Sequence, residues 1–276
     1  MGKWLWLLVL LGSLSGCENL DLQEKTQTVL RPAQMSQDSV GLEIVFIRCK
    51  LDDPEINQQL WGEVDEQQLP AGLRKQLDEN GFRVGIVGSS TPRVLQRLMK
   101  GEPQQAVKSP VEQASIAKLD GESIVTGRHL QVRTGQPSEI QTSQVYEELP
   151  LLLRKEGQVV GQMLKKAQGV LIVKAYPTSG GAVRLEIIPQ FQYGDPVQSI
   201  APSDEGVWKF EAARKREIFD QLLTTATLQP GQYLILACRA EQPASLGHHF
   251  FTLNSTGTVE QKLLLIRIGQ TQHSDL

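Results

Sequence analysis

Apolar positions in the first third of the chain alternate between dense short runs and helically spaced ones. Gly41 to Cys49 (Gly-Leu-Glu-Ile-Val-Phe-Ile-Arg-Cys) is rich in β-branched and aromatic residues and predicts a strand. Asp53-Pro54 then opens a helix with proline at its first position, and Ile56, Leu60 and Val64 keep helical spacing. Pro70 breaks that run, Leu73 and Leu77 resume it, and Asn80-Gly81 stops it. Phe82 to Val87 predicts a second short strand, followed by a helix capped at Thr91-Pro92 that carries Val94, Leu95, Leu98 and Met99. Together these elements predict a small α+β domain over residues 38–100. Residues 101–122 are polar, contain two prolines and predict a linker.

From residue 123 the pattern changes to strands. Ile124–Val125, Leu130–Arg133, Val170–Tyr176, Val183–Ile188, Tyr233–Cys238 and Lys262–Ile268 are strand-like, with glycine or proline between them. Val207–Ala213 alternates Trp208, Phe210 and Ala212 with Lys209 and Glu211, a further strand, whereas residues 214–223 fit a helix or a strand. The expectation is a mostly antiparallel β domain over 123–269 and a polar tail over 270–276. The fold class expected for the whole chain is thus α+β.

The N-terminus reads as an address. Met1-Gly2-Lys3 is a short positive region, and Trp4–Leu11 is apolar but shorter than the ~20 residues a bilayer-spanning helix needs. Leu14-Ser15-Gly16-Cys17 resembles the lipobox of bacterial lipoproteins. That resemblance implies a signal peptide over 1–16, a lipid thioether on Cys17 and a membrane anchor of several acyl chains. Glu18 follows the cysteine in place of the aspartate that retains such proteins in the inner membrane, so the implied location is the outer membrane, facing the periplasm. Residues 17–37 are polar and predict a flexible tether.

Composition and charge narrow the function. With 28 Lys plus Arg against 31 Asp plus Glu, the net charge is −3, which provides no cationic footprint for nucleic acid. Assigning Cys17 to lipid leaves Cys49 and Cys238. These could form a disulfide or stay as two buried thiols.

The second half resembles the β-domain of the secretins, the outer-membrane pores of secretion and pilus systems. Four pieces carry the resemblance in order: Leu130–Ile140 with its Thr134-Gly135-Gln136 turn, Gly169–Pro177, Gly180–Pro189, and Pro230-Gly231-Gln232-Tyr233-Leu234-Ile235-Leu236-Ala237-Cys238. The closing segment of the family survives only as Ser245-Leu246-Gly247-His248-His249-Phe250. Residues 194–206 read as a short polar loop, leaving no pair of long hairpins to line a pore. The resemblance implies contacts with envelope or secretion proteins, and self-association.

Chemical motifs are sparse. Ser115-Ile116-Ala117-Lys118 matches a Ser-x-x-Lys without the partner motifs of penicillin-binding enzymes. Gly85–Ser90 reads as a structural strand-to-helix turn, since it lacks the spacing of a nucleotide loop. His248-His249 reads as a surface turn, and Arg214-Lys215-Arg216, among acidic neighbours, as a solvated face. The function expected is therefore non-catalytic, with no catalytic residues, no metal and no cofactor. A ring-forming secretin subunit is one alternative. The other is a periplasmic hydrolase whose site would bring His129 or His248 to a carboxylate and a hydroxyl.

Overall fold

Alternation along strand β1 (Ser39–Lys50) sends Leu42, Ile44 and Phe46 to one face and Val45, Ile47 and Cys49 to the other, and both faces are covered. The computed structural model describes residues 38–100, 125–155, 158–202, 208–255 and 257–272. Helices α1 (Glu55–Leu60, wound wider than an α-helix), α2 (Ala71–Glu79) and α3 (Arg93–Met99) flank strand β2 (Phe82–Val87). Then follow β3 (Val125–Arg133), β4 (Ser138–Lys155), β5 (Gln158–Pro177), β6 (Val183–Pro202), β7 (Trp208–Ile218), β8 (Thr224–Leu228) and β9 (Tyr233–Cys238). Helix α4 (Leu246–Phe251), β10 (Thr252–Ser255) and β11 (Thr258–Gln272) complete the described chain.

Sheet A has the order β2-β9-β11-β1-β3, with β10 also pairing β11, and every pairing is antiparallel. One face packs Ile47, Ile235, Leu263 and Leu265 under Ile56 and Leu60 of α1 and Val94, Leu95 and Leu98 of α3. The other face joins sheet B in a shared core. Sheet B has the order β4-β5-β6-β7, and β8 pairs Val183–Ile187 of β6 while β7 pairs its later residues. Phe191, Phe219, Phe250, Phe251 and Phe82 meet there, with the Phe191 and Phe250 ring centroids 4.9 Å apart. Such aromatic pairs add ~0.5–1.5 kcal/mol beyond area burial.

The turn after α2 locks α4 in place. Gly81 adopts φ +75°, and Gly247 donates its N–H to Asn80 O at 2.9 Å. A Cβ on Gly247 would run into the Gly81 carbonyl and lie 2.8 Å from Phe82 N, so only glycine permits this approach.

Several expectations are corrected. The α+β class gives way to a mostly antiparallel β fold in two sheets with short helices. The reason lies in pairing and in length. β1 and β2 are strands of the same sheet as β9 and β11, so the stretches read as domains 38–100 and 123–269 share sheet A, and the helices between them are short. The described residues form one compact unit. Residues 138–169, not read as strand beyond Ile140, form β4 and the first half of β5, and 194–202 extend β6 instead of forming a polar loop. β11 reaches Gln272, paired with Ser39, into the stretch read as tail. Residues 214–218 are strand, and Asp220–Leu222 is a short helical turn.

Candidate functional site

The most unusual surface of the molecule is the hairpin of β4 and β5, 18 and 20 residues long. The two strands pair from Ser138–Val173 to Lys155–Gln158, while β5 and β6 pair only as far as Gln168–Gln192. Beyond that level the β4–β5 and β6–β7 hairpins separate. Both bend there. Lys166 of β5 has φ +50° and Gly194 of β6 has φ +75°, each a single left-handed residue that turns its strand. Lys166 Nζ bonds the Asp195 carboxylate, which raises the lysine pKa, and Arg214 Nε donates to Gly194 O at 3.0 Å. From Glu148 to Lys155 the hairpin continues for ~26 Å.

One face of this extension is docked. Leu149, Leu151 and Leu164 are buried in the core shared with Phe82, Leu246 and Phe250. Asn80, almost fully buried, clips the far end: its Oδ1 accepts from Arg154 N at 3.0 Å and its Nδ2 donates to Arg154 O at 3.2 Å. Nearer the bend, Tyr146 donates to His249 O at 2.8 Å, and burial pushes its phenol up to about 12.

The register puts Pro150 opposite Met163 and Arg154 opposite Val159, so Pro150, Leu152, Val159 and Met163 share the opposite face. That face is open to solvent. Leu152 is 49% exposed, and Val159 and Met163 are each 57% exposed. Neither strand was read from the sequence here. The recoverable signal was the alternation Leu149, Leu151, Leu153, interrupted by Pro150 and Leu152.

The bend region is polar and internally satisfied. Thr142 Oγ1 donates to Gly169 O at 3.1 Å, and Ser143 Oγ accepts from Gly169 N at 2.7 Å. Lys262 Nζ donates to Thr142 O, and burial lowers its pKa to about 8.

The sequence-derived candidates lie elsewhere. Cys17 and the Ser115–Lys118 motif fall outside the described residues. Cys49 and Cys238 are both free thiols. Cys49 lies opposite Gln261 on the face toward α1 and α3, whereas Cys238 points into the inter-sheet core, with β11 between their strands. Opposite faces two strands apart, ~9.5 Å, exceed what a disulfide can span. Burial raises both thiols, Cys238 to about 12.

His248 and His249 belong to α4 and not to a surface turn. Ser245 caps this helix, its Oγ accepting from His248 N at 3.2 Å. Burial lowers the pKa of both rings, and with the adjacent His248 it lowers His249 to about 4. The polar side chain beside His248 Nδ1 is Thr252, at 3.5 Å. His129 lies exposed on β3, paired in register with Glu43. His129 thus faces a carboxylate that Arg267 engages, and His248 a hydroxyl. Among the described residues no group of three His, Cys, Asp or Glu could hold a metal.

Gly85 of the glycine turn is a strand residue. A Cβ there would come within 2.5 Å of Val64 Cγ1 and 3.0 Å of Asp65 O, at the point where Asp65 pairs with Ile86. Comparison of the chain with family models, curated proteins and solved structures finds no match in any of the three.

Proposed function

We propose that the chain is a non-catalytic, lipid-anchored protein of the cell envelope, with a secretin-like β portion that works through protein–protein contacts. The outer face of the β4–β5 hairpin is its contact surface. The observation that carries this reading is the row Leu152, Val159 and Met163, about half exposed on a hairpin whose other face buries Leu149, Leu151 and Leu164 in the core. Burying such a face against a partner gains ~25 cal/mol per Å² of apolar area. The anchor rests on the lipobox at Leu14–Cys17 and the outer-membrane location on Glu18.

A specific observation favours a second reading, the ring-forming secretin subunit. The chain carries a second long hairpin, β6–β7, paired out to Pro202–Trp208 and separated from the first at Lys166 and Gly194. Two hairpins parted in this way give a subunit the strands to share in a multi-subunit wall. Electron microscopy of detergent-extracted protein distinguishes the two: monodisperse monomers fit the first reading and exclude the ring.

The anchor is tested by Cys17→Ser. The variant is expected in the soluble periplasmic fraction, and firm retention in membranes would contradict the lipid anchor.

A further inference from the structure

The edge strands of the two sheets differ in how they are guarded. β2 is covered where Asp65 and Ile86 exchange hydrogen bonds at 2.9 Å. β3 carries Arg128, His129 and Arg133, and β7 carries Arg214, Lys215 and Arg216. β4 has Pro150 and the Asn80 clip on Arg154. Charges, proline and covering elements are what keep a sheet edge from pairing with another chain.

The outer half of β5 has none of these. β6 leaves it beyond Gln168, so from Gln158 to Lys165 it pairs only with β4. Residues Gln158 to Leu164 include no charge and no proline, and every residue from Gln158 to Met163 is exposed. Which backbone groups face outward follows from β4. Asn80 engages both the N–H and the C=O of Arg154, so these turn away from Val159 opposite. Pro150, opposite Met163, has no N–H to give its neighbour. Both are therefore pairs without mutual hydrogen bonds, and the N–H and C=O of Val159, Gly161 and Met163 face the open side. Among the described residues nothing bonds these groups.

This row reads the same in both directions. Val159 and Met163, each 57% exposed, lie two residues either side of Gly161. A second copy related by a twofold axis at Gly161 sets Val159 against Met163 of that copy, and Gly161 against Gly161. Each of the three pairs then exchanges two backbone hydrogen bonds, and directly opposed side chains share a face and touch. No charge within Gln158–Leu164 meets its like across the axis.

We propose that the β5 edge pairs antiparallel with the same edge of a second copy of this chain, centred on Gly161. The pairing rests on the contact reading of the hairpin and names its partner. A twofold contact closes at two copies, so it builds no ring. The edge offers far fewer residues than the roughly 20–30 a side of a stable complex. It therefore forms between copies anchored on one membrane, where tethering raises the effective concentration toward the ~mM range.

The test is disulfide trapping of the full chain in intact envelopes, oxidised with copper phenanthroline and read as a band of twice the chain mass. A Cβ at Gly161 would meet only Leu152 Cδ2, at 3.6 Å, so Gly161→Cys fits the hairpin. Paired Cα atoms ~5.5 Å apart lie within the span of a disulfide. Gly161→Cys is expected to link to itself at least tenfold more than the exposed reference Glu63→Cys. Val159→Cys and Met163→Cys are expected to link to each other when co-expressed. Neither is expected to link to itself, because equal positions lie about 13 Å apart along the strands. Met163→Lys supplies the missing charge and is expected to cut the Gly161→Cys band at least tenfold while keeping the parent melting temperature. A Gly161→Cys yield no higher than that of Glu63→Cys, or Val159→Cys and Met163→Cys each linking to itself as readily as to the other, overturns the pairing. If photocrosslinks from Val159 then join a protein of another mass, the hairpin contact stands with a different partner; if they join none, the contact reading fails as well.

Discussion

Sheet A and the β4–β5 hairpin are both antiparallel, yet they divide their apolar residues in opposite ways. The central strands of sheet A are buried on both faces: Tyr233–Cys238 is buried at every position, as are Leu263 to Ile266. The outer half of the hairpin buries Leu149, Leu151 and Leu164 on one side and leaves Leu152, Val159 and Met163 open on the other. The first arrangement spends its apolar surface on stability. The second leaves part of it open to solvent, and the proposed contact surface is placed there.

The comparison can be strained first at the junction. Phe250 is fully buried between Phe82, Phe191 and Phe251, so Phe250→Ala is expected to cost ~3–5 kcal/mol in chemical denaturation. A loss below about 1 kcal/mol would show that the two sheets do not depend on this cluster.

Acid is the next lever, because His249 sits where the hairpin docks through Tyr146. In the fold this ring stays neutral down to about pH 4, whereas the unfolded chain protonates it below its ordinary value of 6.5. The unfolded state therefore binds the extra proton, and stability falls as pH drops from 6.5 to 4, by ~3 kcal/mol at most. Denaturation of His249→Gln is expected to lose this part of the acid sensitivity, and an unchanged pH profile would contradict the assignment.

Asn80→Ala comes third. It removes the clip on Arg154 and takes away the side-chain partners of that residue's N–H and C=O, an expected cost of ~1–3 kcal/mol. Hydrogen exchange should show the gain in opening confined to the far end of β4, and uniform exchange across sheet A would argue against a separate docking contact.

The smallest effect on folding is expected at the face proposed for contacts. Val159→Glu and Met163→Glu are expected to shift stability by no more than ~0.5 kcal/mol, since both side chains are more than half exposed. Larger losses by thermal melting would mean that the face supports the fold and is not held for a partner.

What could be read from the sequence follows the same division. β1, β2, β9 and the core of β11 stand out because burial on two faces makes a strand a continuous apolar run, as in Tyr233–Cys238. Pro70 and Asn80-Gly81 punctuate α2 as their chemistry dictates. The first half of β5 is hidden because Gln162, Lys165 and Lys166 are exposed, and Pro150 interrupts the matching run in β4. The merging of two apparent domains into one sheet depends on β1 pairing with β11 more than 200 residues away, a partner no local pattern names.

The most direct test of the contact surface is site-specific photocrosslinking in intact envelopes, with the crosslinker at Val159 or Met163 and at exposed Glu63 as reference. The account predicts discrete protein adducts from both hairpin positions, abolished when Leu152 is changed to Glu, and none from Glu63. Hairpin positions that give no adduct, or no more than Glu63, would contradict it.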